Sequence, residues 1–126
     1  ENSFNGKSKG KGYGIRTDLR QRTTQPARFP MPAWLQQVCL RMPLAGPAVL
    51  RDFRPNECNA IDYRHEEGHE LRPHVDDRKM SGDIICNLSL AGDCLMTYER
   101  ERGMGQQVKV FLPRRSLQVQ AGGVRY

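Results

Sequence analysis

The apolar positions of this chain change their period once. Between residues 32 and 42, Trp34, Leu35, Val38 and Met42 recur at three- and four-residue steps, the spacing of one helix face. Pro32 suits a first helical turn because no N–H is needed there, and Pro43, Gly46 and Pro47 end the pattern. The spacing predicts a helix over 32–42 with Trp34 as a core anchor. From Phe53 onward the period shortens to two. Residues 57–63 alternate, with Asn59, Ile61 and Tyr63 on one face, and a polar turn over 64–70 returns into a strand over 71–76. Residues 83–90 form a mostly apolar strand, Ala91, Gly92 and Asp93 turn the chain, and 94–98 continue as that strand's partner. Strands over 107–112 and 116–121, split by Pro113-Arg114-Arg115, complete the pattern. Short strands joined by turns and led by one helix predict an antiparallel sheet closed into a barrel or jelly roll. The 126 residues suffice for one domain with a modest core.

The leading segment has a different texture. Residues 1–12 are rich in Gly, Lys, Ser and Asn and predict a polar loop or hairpin tip. Residues 13–17 read as extended, and 21–30, with Pro26 and Pro30, as a linker. Charge follows the same division. The net charge is +6, and residues 1–28 account for +5 of it. A basic arm of this kind offers a surface for phosphates or for an acidic protein, and Tyr13 and Arg16 within it are residue types that stack on a base or pair with a phosphate. No apolar run approaches a membrane span and no signal peptide is visible. Cys39, Cys58, Cys86 and Cys94 form no C-x-x-C and have irregular spacings. This argues against a structural zinc site or a disulfide framework, fits an intracellular setting, and predicts small buried side chains.

Two motifs carry chemistry. His74 and Asp76 form His-x-Asp. On an extended strand, residues i and i+2 share a face, so one imidazole and one carboxylate would stand side by side. They are two of the three donors of the 2-His-1-carboxylate triad that holds non-haem Fe(II). The second motif, His65-Glu66-Glu67-Gly68-His69, matches the H-E-x-x-H of zinc proteases. That chemistry needs an α-helix, and Gly68, Pro73 and a lack of apolar neighbours disfavour one, so a polar turn is predicted instead.

The ordered set of motifs resembles a known family. The run from Phe53-Arg-Pro-Asn-Glu-Cys-Asn-Ala-Ile-Asp to Tyr63, then Gly68, Pro73-His74-Val-Asp76-Asp77, Leu88-Ser-Leu90 and Leu112-Pro-Arg-Arg-Ser-Leu117 is similar to the AlkB family of Fe(II)/2-oxoglutarate dioxygenases. The subgroup it most resembles is linked to demethylation of protein lysine (actin) and of N6-methyladenine in DNA, and Tyr13-Gly14 looks like that subgroup's opening arm. The resemblance implies a double-stranded β-helix, or jelly roll: a basic substrate-facing arm over 1–28, the helix over 32–42 and jelly-roll strands over 53–126. It implies that His74 and Asp76 bind iron, that Tyr63 reaches 2-oxoglutarate from the preceding strand, and that Asn87 stands near the co-substrate. Asp77, Tyr13 and Arg16 are implied substrate contacts.

The implied reaction removes N-methyl groups from methylated DNA or RNA, or from methylated protein lysine, in the cytoplasm or nucleus. It releases formaldehyde, succinate and CO2. Two departures stand out. Ile61 replaces an asparagine common in the family, and the family's distal His and its 2-oxoglutarate-binding Arg fall after the equivalent of Tyr126. The chain also does not begin with Met. These features predict a fragment with an incomplete site, and leave open a binding module of the same fold without turnover.

Overall fold

A computed structural model describes residues 8–100 and 105–125. The chain divides into two compact units, Glu1–His74 and Val75–Tyr126. Both are built mainly from antiparallel strands, with one α-helix among the described residues, in the first unit.

The first unit is a three-stranded sheet in the order β2-β1-β3, carrying the helix. Strand β1 (Lys9–Asp18) runs antiparallel to β3 (Glu57–Asp62) over its first half, from Lys9 opposite Asp62 to Gly14 opposite Glu57. Its second half pairs with β2 (Thr23–Pro26), Ile15 opposite Pro26. The change of partner falls at Gly14. Gly14 has φ +82°, and an added Cβ would meet the Asn56 carbonyl oxygen at 2.2 Å, so only glycine fits there. The β1–β2 turn is tied by Asp18, whose Oδ1 accepts the N–H groups of Arg20 and Gln21 at 2.9 Å. Residues 9–12, expected as loop, and 23–26, expected as linker, are therefore strands. Backbone pairing with distant segments overrides their polar, Gly- and Pro-containing composition. The expected loop over 1–7 lies outside the described residues.

Helix α1 (Ala33–Arg41) starts after Pro32, as its spacing predicts. Its buried residue is Leu35, and Leu50, from the short 3-10 turn Ala48–Leu50, is the fully buried apolar side chain among the described residues of this unit. Trp34, expected as a core anchor, is instead 57% exposed and lies edge-to-face against Tyr13, ring centres 6.3 Å apart. The helix turns Leu35, one position on, toward the interior, and that rotates the indole to the rim.

The second unit holds two strand pairs. β4 (Ile85–Leu88) pairs with β7 (Leu117–Gln120), and β5 (Cys94–Glu99) pairs with β6 (Gln107–Leu112). The expected β4–β5 hairpin is thus not formed. The β5–β6 pair is nested inside the β4–β7 pair, closed by Ser89 N–H to the Ser116 carbonyl and Arg115 N–H to the Ser89 carbonyl. Among the described residues, Leu112 is the buried apolar residue of this unit. All four cysteines are free thiols, but none is fully buried and Cys94 is exposed, unlike the buried role expected.

Candidate functional site

The residues around His-x-Asp do not lie on a strand. Residues 69–77 take no regular structure and join no sheet. Pro73 has no N–H for a ladder, and Glu70, Leu71 and Arg72 are exposed. The strand expected over 71–76 is absent, and with it the ladder that would fix both side chains on one face. The division between the two units falls between His74 and Val75, which places His74 in the first unit and Asp76 in the second.

His74 is exposed, and its Nδ1 lies 2.7 Å from the Arg72 carbonyl oxygen. A carbonyl only accepts, so Nδ1 carries the proton, and in the neutral ring Nε2 is the lone-pair nitrogen. A backbone carbonyl in this position is the usual partner that orients a metal-binding histidine. Tyr63, just past β3, is exposed over 41% of its surface. Burial of the rest pushes its phenol above the ordinary value, so it remains a hydroxyl donor at neutral pH. In the arm, Tyr13 is half-buried between Phe29 and Trp34, and Arg16 is exposed. Lys11 lies over the Phe29 ring, Nζ 4.1 Å from its centre, and Arg28 lies 5.4 Å from the same ring.

The H-E-x-x-H run is a single 3-10 turn, His65–Glu67, stopped by Gly68 at φ +70°. His69 Nδ1 accepts the Arg64 N–H at 3.2 Å, and its Nε2 lies 3.4 Å from Glu67. The α-helical face a zinc protease needs is not formed, in agreement with the predicted polar turn.

In the second unit Asp76 is half-buried. Asp77 Oδ2 accepts the backbone N–H groups of Lys79, Met80 and Ser81 at 3.2, 2.6 and 2.8 Å. The Ser81 N–H above all, with those of Met80 and Lys79, holds this carboxyl below its ordinary value. Asp77, implied as a substrate contact, thus ties the turn that follows Asp76. A depressed carboxylate adds stability that is fully present above the ordinary carboxylate value and is lost as pH falls toward the lowered folded value. Wild type should therefore be more stable than Asp77→Asn at neutral pH, with the difference shrinking below about pH 4. Denaturant unfolding of both chains across pH checks this, and a gap that does not change with pH would contradict it.

Asn87 on β4 donates to Gln118 Oε1 on β7 at 3.0 Å, across the Asn87–Gln118 register pair. Gln120 Nε2 reaches the same oxygen at 3.5 Å. Next to this amide group, the Tyr98 hydroxyl is buried without a well-formed hydrogen bond among the described residues. Burial pushes the phenol up, the nearby Gln118 side chain acts the other way, and the Asp76 carboxylate adds to the rise. Tyr98, Gln118 and Gln120 were not singled out by sequence. Their signal is the two-residue period that brings 118 and 120 to one face of β7, and it becomes readable only when the partner of β4 is known. Among the described residues, no group of three or more His, Cys, Asp or Glu side chains gathers as a metal site.

Similarity to known proteins supports the AlkB family without selecting a subgroup. Mouse alpha-ketoglutarate-dependent dioxygenase alkB homolog 4 is 32% identical over 90 residues, 71% of this chain and 29% of that protein. Mouse tRNA (carboxymethyluridine(34)-5-O)-methyltransferase ALKBH8 is 32% identical over 99 residues, 77% of this chain and 14% of that protein. Uncharacterized protein L905 of Acanthamoeba polyphaga mimivirus is 27% identical over 96 residues, 76% of this chain and 43% of that protein. The chain therefore spans less than half the length of these relatives. No family model and no solved structure matches it. No helix among the described residues is long and apolar enough to cross a membrane.

Proposed function

We propose that this chain is part of an Fe(II)/2-oxoglutarate-dependent dioxygenase that oxidatively removes N-methyl groups. The observation that carries the reading is His74, whose Nδ1–H is held by the Arg72 carbonyl, so that Nε2 would be the nitrogen offered to a metal, in a chain similar to alkB homolog 4. His74 and Asp76 fit two donors of the facial triad, and the described residues offer no third beside them. Tyr63 would donate its hydroxyl to 2-oxoglutarate, and Asn87 would border the co-substrate. The nesting of β5–β6 within β4–β7 is the pairing of a folded-over hairpin and supports a double-stranded β-helix in one AlkB-like domain.

Bound iron would supply the oxidation: O2 and 2-oxoglutarate give succinate and CO2, and one oxygen atom enters the N-methyl C–H bond. The N–CH2OH product then loses formaldehyde and leaves N–H. The chain's own residues bind, orient and exclude water. The substrate is methylated adenine in nucleic acid or methylated lysine in protein, and the free thiols fit the cytoplasm or nucleus. Fe(II)-dependent release of succinate from 2-oxoglutarate tests the reading. A chain that stays inactive even when extended past Tyr126 would overturn it in favour of a non-catalytic binding module.

The basic arm favours nucleic acid. Lys11 and Arg28 cluster with Phe29, Tyr13 and the exposed Trp34, and cations among aromatic faces suit a single strand. About three phosphate contacts would make affinity for a single-stranded oligonucleotide fall roughly tenfold or more between about 50 and 200 mM salt. Fluorescence anisotropy across that range measures it, and salt-independent binding would exclude the nucleic-acid version.

A further inference from the structure

Arg125 is 2% exposed although it carries a full charge. A buried guanidinium is costly unless its N–H groups find acceptors. Its Nη2 donates to the carbonyl oxygen of Asp77 and, at 3.3 Å, to that of Gly82. These two carbonyls bracket the loop over 77–82 that joins Asp76 to β4. The same loop is tied from inside by the Asp77 carboxylate, which accepts the three N–H groups of Lys79, Met80 and Ser81. The base of Arg125 is fixed as well. It caps the 3-10 turn Gly122–Val124, its N–H donating to the Gly122 carbonyl at 2.8 Å. That turn follows β7, and β7 pairs with β4, the strand into which the loop runs. The backbone therefore forms a closed circuit: Asp76, the loop, β4, β7, Arg125, and back to the loop. All of it lies within Val75–Tyr126.

We propose that Arg125 is a positioning residue for Asp76. By holding the carbonyl of the next residue and the far end of the loop together, it limits the directions the Asp76 carboxylate can take toward a divalent cation. A metal donor must be held to within about 0.5 Å of its working position, and a loop without regular structure does not supply that alone. Both bonds leave the single nitrogen Nη2, whose direction is set by the rigid planar guanidinium, whereas the ammonium of lysine ends a mobile stem. The proposal rests on the iron reading, and the test separates the two.

The experiment uses the 126-residue chain with Mn(II) as probe in the presence of 2-oxoglutarate, binding read by the loss of free-ion signal in electron paramagnetic resonance. Amide hydrogen exchange is read alongside. Wild type, His74→Ala, Arg125→Ala, Arg125→Lys and Arg114→Ala are compared. Arg114 is exposed and controls for loss of a positive charge. The expected result is binding by wild type and by Arg114→Ala, and loss of binding in His74→Ala. Arg125→Ala should weaken affinity about tenfold and speed exchange over 76–82, with Arg125→Lys between. If Arg125→Ala also speeds exchange in β5 and β6, it has unfolded the unit and Arg125→Lys decides. Binding lost in His74→Ala but unchanged in Arg125→Ala or, where that variant unfolds, in Arg125→Lys overturns the positioning role alone. Faster loop exchange with unchanged affinity does the same, since that is a purely structural clamp. Equal binding in wild type and His74→Ala, both in this chain and in one extended past Tyr126, overturns the iron reading and the proposal with it.

Discussion

His74→Ala is expected to abolish Fe(II)-dependent succinate release, by more than roughly 100-fold, since losing even an outer partner of a metal ligand costs about 10–100-fold. The effect should be specific among the three histidines. His69 is engaged by the Arg64 N–H and by Glu67, and His65 opens the same 3-10 turn, so His69→Ala and His65→Ala should keep turnover within about twofold. Succinate release measured on the wild type and these three variants, in this chain and in one extended past Tyr126, decides the assignment. If His69→Ala rather than His74→Ala removed turnover, the ligand would have been misplaced. The Arg72 carbonyl gives a further check: it forces the proton onto Nδ1, so nitrogen NMR of metal-free His74 should report the Nδ1–H form.

The second large effect is on stability. Gly14→Ala should destabilise the first unit by about 3 kcal/mol or more. Two costs combine. At φ +82° an L-residue is strained, and the new Cβ would fall 2.2 Å from the Asn56 carbonyl oxygen, which is backbone and cannot swing away. That oxygen also accepts the Ile15 N–H at 3.0 Å, so any retreat breaks the bond at the point where β1 changes partner from β3 to β2. Gly68→Ala is the comparison. It has φ +70° but open space around it, and should cost about 1 kcal/mol, the left-handed strain alone. Denaturant unfolding of the two variants separates the terms. Equal losses would mean that the approach of Asn56 is not tight.

Local rules reached some of this architecture. The helix period placed α1 within one residue at each end, because Pro32 and Pro43 bound it, and the alternation over 107–112 coincides with β6. Gly68 and the polar residues around it were enough to predict a turn over 64–70. Other elements were misread for identifiable reasons. Residues 9–12 and 23–26 look like loop by composition, yet they lie on either side of the partner change at Gly14 and each finds a backbone partner. Residues 71–76 look like a strand and join no sheet.

What the sequence determined by itself is the chemistry on offer: an imidazole and a carboxylate two residues apart, a tyrosine eleven positions before that histidine, a basic arm and an ordered set of AlkB-like motifs. These are properties of residue type and order, and no folding is needed to read them. Only the tertiary structure decided which strands pair, since alternation marks a strand's faces but not its partner. β4 took β7, 32 residues away, and not the neighbouring β5. It also decided the supporting contacts, the Arg72 carbonyl on His74, the Asp77 carboxylate in its own turn, and the burial of Arg125 under the loop after Asp76. Such bonds depend on where backbone carbonyls and N–H groups come to rest. Every residue carries those groups, so sequence alone does not distinguish the ones that matter.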